Sequence, residues 1–170
     1  MNTEDMSRLL KTKDAPSTMV HAVRTAVAAV VSLLTARLFR LPEAYWASIS
    51  TLIVMQSTLG AALPISAQRF LGTAMGVVVG GLAAAYFPGN VLVFGVSVFL
   101  LGILCAVFHV ERSAYRYASV AVAVIMLVPR TNNAWMIALH RFVEVSIGIA
   151  VGLLLSAVWP ERRKPMPASL

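Results

Sequence analysis

Between Phe70 and Val110 the chain has no aspartate, glutamate, lysine or arginine. Charge is scarce elsewhere too: 12% of 170 residues, with only seven acids. Soluble domains carry about 25% charged residues, so water is not the expected solvent for most of this surface. Cysteine occurs once, as Cys105 inside an apolar run, which excludes a disulfide framework and a thiolate metal cluster. The three histidines, His21, His109 and His140, are scattered along the edges of apolar runs. No nucleophile, base and orienting acid fall together, and no phosphate-cradling glycine loop precedes a helix in a polar stretch. The sequence predicts no enzyme, no metal and no cofactor.

A formal charge of +7 raises the question of nucleic acid. The basic residues, however, stand at the ends of apolar runs instead of along one face with interleaved aromatics. The expected partner is a lipid bilayer, and no nucleic acid is expected.

What is abundant is hydrocarbon: 59% hydrophobic residues and a mean hydropathy of +0.81. "PGN" at 88–90 cuts the uncharged stretch into two pieces. Each has about 18 residues, roughly 27 Å as a helix, close to the ~30 Å hydrocarbon core. Six spans are expected, at about 20–39, 44–60, 67–87, 91–109, 114–129 and 139–159. The second and fifth are short and bounded by Pro42 and Pro129, where helices tend to start or stop. The expected fold is an all-α polytopic membrane protein. A polar amino-terminal segment (1–19) leads into a six-helix domain (20–160) and a basic tail (161–170). The polar start, with no small-residue cleavage site after the first apolar run, predicts no removable signal peptide.

Six spans place both termini on one side. If that side is the cytoplasm, Arg8, Lys11, Lys13, Arg24, Arg69, Arg112, Arg116, Arg162, Arg163 and Lys164 lie inside, against Arg37, Arg40, Arg130 and Arg141 outside. The positive-inside rule favours this orientation, with both termini in the cytoplasm.

The segment "RFLGTAMGVVVGGLAAAYFP" (69–88) aligns without gaps on "RFVEVSIGIAVGLLLSAVWP" (141–160), agreeing at eight of twenty positions. The same offset of 72 pairs Tyr45 with Tyr117 and Ile53 with Ile125, carrying the second helix onto the fifth. An offset spanning three helices turns the second copy upside down, an inverted repeat of the kind transporters use. On a helix Arg69, Gly72, Gly76 and Gly80 share one stripe, as do Arg141, Glu144, Gly148 and Gly152. The glycines are read as helix-packing residues that let backbones approach.

The segment "LPEAYWASISTLIVMQSTLG" (41–60), followed by "RFLGTAMG", resembles the fusaric acid resistance and aromatic acid exporter family. The residues carrying the resemblance are Leu41, Pro42, Tyr45, Trp46, Ala47, Gln56, Arg69, Gly72, Thr73 and Gly76, and it extends over nearly the whole chain. The resemblance implies a six-helix inner-membrane unit exporting aromatic carboxylic acids, with a distant likeness to plant malate channels. Many larger relatives add a cytoplasmic domain and a second membrane unit. This chain looks like a half-size member, for which a homodimer or higher oligomer would restore the doubled unit.

A path for a small organic anion needs cationic or amide donors and an apolar wall. Arg69 and Arg141, placed at opposite faces by the repeat, are candidate substrate ligands at the two mouths, or interfacial anchors that snorkel. Arg24 is open to the same two readings. Tyr45 and Trp46 are expected at an outer interface, as belt aromatics or as a stacking surface. Gln56 could donate to a carboxylate or to a neighbouring helix. Glu144 follows Arg141 by three residues, one turn inside the last helix. It is either an ion-pair partner or a carboxylate that couples proton entry to anion export. The leading expectation is proton-coupled efflux of small organic or aromatic acids. The alternatives are a channel-like anion conduit and a non-transporting membrane subunit.

Overall fold

The computed structural model describes residues 15–55, 59–128 and 133–159, with side chains from Met19 onward. Gln56, Pro129, Arg130, Pro160, the first fourteen residues and the basic tail lie outside the described residues. The described residues form six helices: α1 (Ala15–Leu38), α2 (Tyr45–Met55), α3 (Leu59–Tyr86), α4 (Val91–Val107), α5 (Arg112–Leu127) and α6 (Ala134–Val158). No strand occurs among the described residues. Three helices are long and apolar enough to cross a membrane, through Met19–Leu38, Leu59–Tyr86 and Ala134–Val158. The other three have 11, 17 and 16 residues. At 1.5 Å per residue α2 is only about 16 Å long, half a bilayer core.

Local chemistry sets the helix ends. Asn90 caps α4, its Oδ1 accepting from the amides of Leu92 (3.0 Å) and Val93 (3.2 Å), and Asn133 caps α6 through Trp135 N–H at 3.2 Å. That cap starts α6 at Ala134 instead of the expected 139. The third span also begins early, at Leu59 instead of 67, with Pro64 inside it. Proline here falls in the second turn, and the residue four before it is Gly60, around which a Cβ would meet nothing within 4 Å. At this position the proline ring removes the amide bond back to the Gly60 carbonyl.

Close helix pairs are made by glycine. A Cβ on Gly72 would stand 2.2 Å from the Ala114 carbonyl oxygen, and one on Gly76 2.3 Å from that of Ala118. Gly80 lies against Val122. Rising numbers on both helices make α3 and α5 run parallel. The second set matches: a Cβ on Gly148 would stand 2.2 Å from the Ala47 carbonyl oxygen, one on Gly152 would meet Val54 and Thr51, and Ser156 bonds Met55 Sδ, so α6 and α2 run parallel. α3 and α6 are antiparallel: Phe70 stacks on Phe142 at 5.0 Å, while Gly81 faces Trp135 and Ala138.

The last helix of each half has crossed over. α6 packs with α1 and α2, α3 packs with α4 and α5, and the α3–α6 contact joins the two groups. These contacts also correct the expected register of the second and fifth helices. Gly76 and Gly148 meet Ala118 and Ala47, so α2 maps onto α5 with an offset of 71, one less than the 72 relating α3 to α6. Trp46, not Tyr45, is the counterpart of Tyr117.

A consequence of this packing is where α2 and α5 begin. Ala114, in the first turn of α5, lies beside Gly72, at the midpoint of α3. The start of α2 lies beside Glu144, eleventh of the 25 residues of α6. Both short helices start at the central level of the bundle and run away from it in opposite directions. The turns before them use the same device. Arg40 (φ 54) and His109 (φ 52) take left-handed conformations. Paired back-bonds, Arg40 N–H to Arg37 O and Leu41 N–H to Ala36 O, recur as His109 N–H to Ala106 O and Val110 N–H to Cys105 O.

Candidate functional site

The middle of the bundle holds two buried arginines. Arg69 is 6% exposed and Arg141 3%, whereas the sequence predicts them at opposite membrane faces. The helix starts explain the correction: α3 runs ten residues before Arg69 and α6 seven before Arg141, which draws both inward. The antiparallel crossing at Phe70 and Phe142 then brings them together, close enough for Arg69 to repel Arg141.

Each guanidinium lies on an aromatic ring. Arg141 Cζ is 3.1 Å from the centroid of Trp46, and Arg69 Cζ is 4.8 Å from that of Tyr117. Such contacts are worth about 2 kcal/mol or more when desolvated, an offset against the several kcal/mol that a buried charge costs. Trp46 is therefore half-buried beside Arg141 instead of standing in an outer aromatic belt. Tyr45 is exposed, with its ring 5.5 Å from Trp46, and its hydroxyl donates to Glu43 Oε1 at 3.0 Å.

The two arginines differ in what balances them. Arg141 is attracted by Glu144 and Glu43. Glu144 is 1% exposed, and its Oε1 accepts the Glu43 backbone N–H at 2.9 Å, just ahead of α2. A carboxylate there satisfies an amide at a helix start and favours the positive end of the helix dipole. It lies far deeper than the one turn expected from the sequence, because α6 starts at Ala134. Arg69 donates through Nη2 to Ser50 Oγ at 3.1 Å and rests on Tyr117. Neither partner is an acid.

Three donors of this cluster are buried with no hydrogen-bond acceptor: Arg69 Nε, Arg141 Nη1 and Trp46 Nε1. Buried polar groups are normally satisfied, so unpaired N–H groups on two cations form a place suited to a small anion. The starts of α2 and α5 add their dipoles, both positive ends turned to this level.

Arg24 is elsewhere. It is 2% exposed, and Nη1 donates to the carbonyl of Trp159 at 2.7 Å, closing the carboxyl end of α6. Gly72, Gly76, Gly80, Gly148 and Gly152 bring helices together beside the site and expose no face to it. Among the described residues no three His, Cys, Asp or Glu are grouped to hold a metal ion. Ser50 and Tyr117 escaped the sequence reading. So did a polar cluster next to Arg69, in which Gln68 Nε2 donates to Glu111 Oε2 and Ser113 Oγ donates to Gln68 Oε1.

The fold is that of an all-helical membrane protein built around a buried cationic centre. Residues 19–155 match the fusaric acid resistance protein-like family, and the chain belongs to it. It is similar to inner membrane protein YeeA of Escherichia coli K12, 25% identical over 146 residues, covering 85% of this chain and 42% of that protein. It is also similar to the uncharacterized transporter YdhK of Escherichia coli K12, 26% identical over 153 residues, 82% of this chain and 22% of that one. The same figures hold for YdhK of Escherichia coli O157:H7. The chain spans less than half the length of these relatives. No solved structure matches.

Proposed function

We propose that the chain is an inner-membrane transport unit for small organic anions, aromatic acids among them, with Arg69 as the carboxylate ligand. The observation that carries this reading is the state of Arg69: buried, without an acidic partner among the described residues, and with Nε unpaired. Phe70 and Phe142 supply apolar surface next to it. Trp46 and Tyr117 each have a ring face taken by a guanidinium, so they position the arginines more than they stack on substrate.

The two halves are proposed to be inverted repeats, supported by the matched glycine contacts and the antiparallel α3 and α6. All six helices then lie in the bilayer, α2 and α5 as half-length helices whose starts meet near its centre, an arrangement known for anion sites in transporters. In sequence, Arg8, Lys11, Lys13, Arg162, Arg163 and Lys164 flank the first and last helices, against Arg130 between α5 and α6, which favours both termini in the cytoplasm. Where the path needs a second such unit, a second copy of the chain supplies it.

Glu144 is the proton-coupling candidate. Neutralising it frees Arg141 from an internal counter-charge, so a proton and an anion assist each other's binding, and by linkage each raises the other's affinity. Exchange of an inward proton for an outward anion would need the two to exclude each other. The geometry favours co-movement, or conduction of the anion alone, which an inside-negative potential drives outward with about 2.3 kcal/mol per charge per 100 mV.

Counterflow of benzoate in vesicles containing the purified protein tests the reading. Arg69→Gln is expected to abolish counterflow while the protein stays folded, and Arg69→Lys to retain part of it. Wild-type counterflow in Arg69→Gln would leave Arg69 a packing residue.

A further inference from the structure

We propose that the groove between α4 and α5 is a water-filled vestibule through which organic anions reach the central arginines. The proposal rests on the reading of α3 as a bilayer-crossing helix and names a second site on the path.

A cavity of about 930 Å³ opens between these helices. Its apolar wall is Gly102, Cys105 and Ala106 of α4; its polar wall is His109, Arg112 and Arg116, with Tyr115 between them. No acid lines it. The neighbouring Glu111 has its carboxylate engaged by Gln68 on α3. Arg112 and Arg116 are one turn apart on one face of α5 and repel each other, so an anion between them relieves that repulsion.

Depth decides what fills the groove. The first turn of α5 lies beside Gly72, the middle of the 28-residue α3. Each end of α3 is therefore roughly 20 Å away along its axis. Both arginines are exposed, and a stem of three methylenes cannot snorkel across that distance to a headgroup layer. Charged side chains at such depth face a protein interior or a water-filled cavity. Being exposed, these two face water, and a cationic aqueous wall concentrates anions. Tyr117, which carries Arg69 on its ring, follows Arg116 on α5, so the helix that walls the groove also bears part of the central site.

The chain's sole cysteine, Cys105, lines this wall and reports on it. In protein-containing vesicles, a membrane-impermeant anionic thiosulfonate is expected to modify Cys105 faster than its cationic analogue, at least tenfold. Benzoate should slow the reaction. Cys105 is 5% exposed, so Ala106→Cys in a Cys105→Ser background provides a second, exposed reporter on the same wall. The double variant Arg112→Gln/Arg116→Gln should remove the preference for the anionic reagent. Modification by a neutral, lipid-soluble maleimide alone, or by no reagent at either position, overturns the proposal, as does equal reaction with both charged reagents. Arg69→Gln should leave the labelling pattern intact while abolishing counterflow, which separates failure of the vestibule from failure of the central site.

Discussion

The guanidinium of Arg141 lies over Trp46, Cζ 3.1 Å from the ring centroid. Trp46 is the second residue of α2 and Arg141 the eighth of α6, so one contact fixes the start of a half-length helix to the middle of a long one. The ring supplies a negative face to a cation that water does not reach.

Trp46→Leu therefore costs more than lost area alone. The variant is expected to lower stability by about 2 kcal/mol through the cation–π contact, while Trp46→Phe keeps a ring face and loses less. Thermal unfolding in detergent, followed by loss of monodispersity, measures both. Equal midpoints for the two variants would show that the ring contributes only bulk.

Glycine positions divide into two kinds with opposite expected signs. At Gly148 an added Cβ would lie 2.2 Å from the Ala47 carbonyl oxygen, an atom of rigid backbone. Gly148→Ala must separate α2 from α6 and is expected to cost about 1–3 kcal/mol. At Gly95 nothing lies within 4 Å of the added carbon, and Gly95→Ala should stabilise the interior of α4 by roughly 0.5–1 kcal/mol. A stability screen of these two variants reads the sign directly.

Much of the architecture was legible because apolar periodicity and glycine spacing are local signals. The spans around α1, α3, α4 and α6 follow from them, and so does the pairing of "RFLGTAMG" with "RFVEVSIG". The depth of the arginines was not, because it depends on two helix starts. Asn133 caps α6 ahead of Ala134, and α3 starts at Leu59 and runs through Pro64. The one-residue slip between repeat segments hid the aromatic pair. "WAS" at 46–48 does align with "YAS" at 117–119, once the offset falls to 71. The crossing of α3 and α6 into each other's group is a tertiary fact that no window of sequence encodes, and it alone makes neighbours of Arg69 and Arg141.

Glu144 has a structural and an electrostatic task, and two substitutions separate them. Glu144→Gln keeps an oxygen for the Glu43 N–H, now accepted at 2.9 Å, so the fold should persist. Like charges at an effective dielectric of about 20 repel, so removing this one should tighten anion binding. Proton dependence of transport should vanish with it. Glu144→Ala also strands the amide, at a cost of about 1–3 kcal/mol. Binding isotherms for benzoate at two pH values, with thermal unfolding alongside, distinguish the tasks. Weaker binding in Glu144→Gln would mean that the carboxylate organises the site instead of competing for it.

The turn before α2 holds a strain that glycine would release. Arg40 sits at φ 54 with its amide bonded to Arg37 O at 2.8 Å, and the next amide reaches back to Ala36 O at 3.2 Å. A residue with a Cβ pays roughly 1–2 kcal/mol for the left-handed conformation, whereas glycine adopts it freely but loses more backbone entropy on folding, about 0.5–1 kcal/mol. The difference favours Arg40→Gly by about 0.5–1 kcal/mol. Branching at Cβ worsens the clash, so Arg40→Val should destabilise. The side chain is exposed, so counterflow should stay unchanged in Arg40→Gly. Thermal unfolding of the two variants against wild type gives the order Gly, Arg, Val; a reversal of that order would mean that the turn is held by the arginine head and not by its backbone.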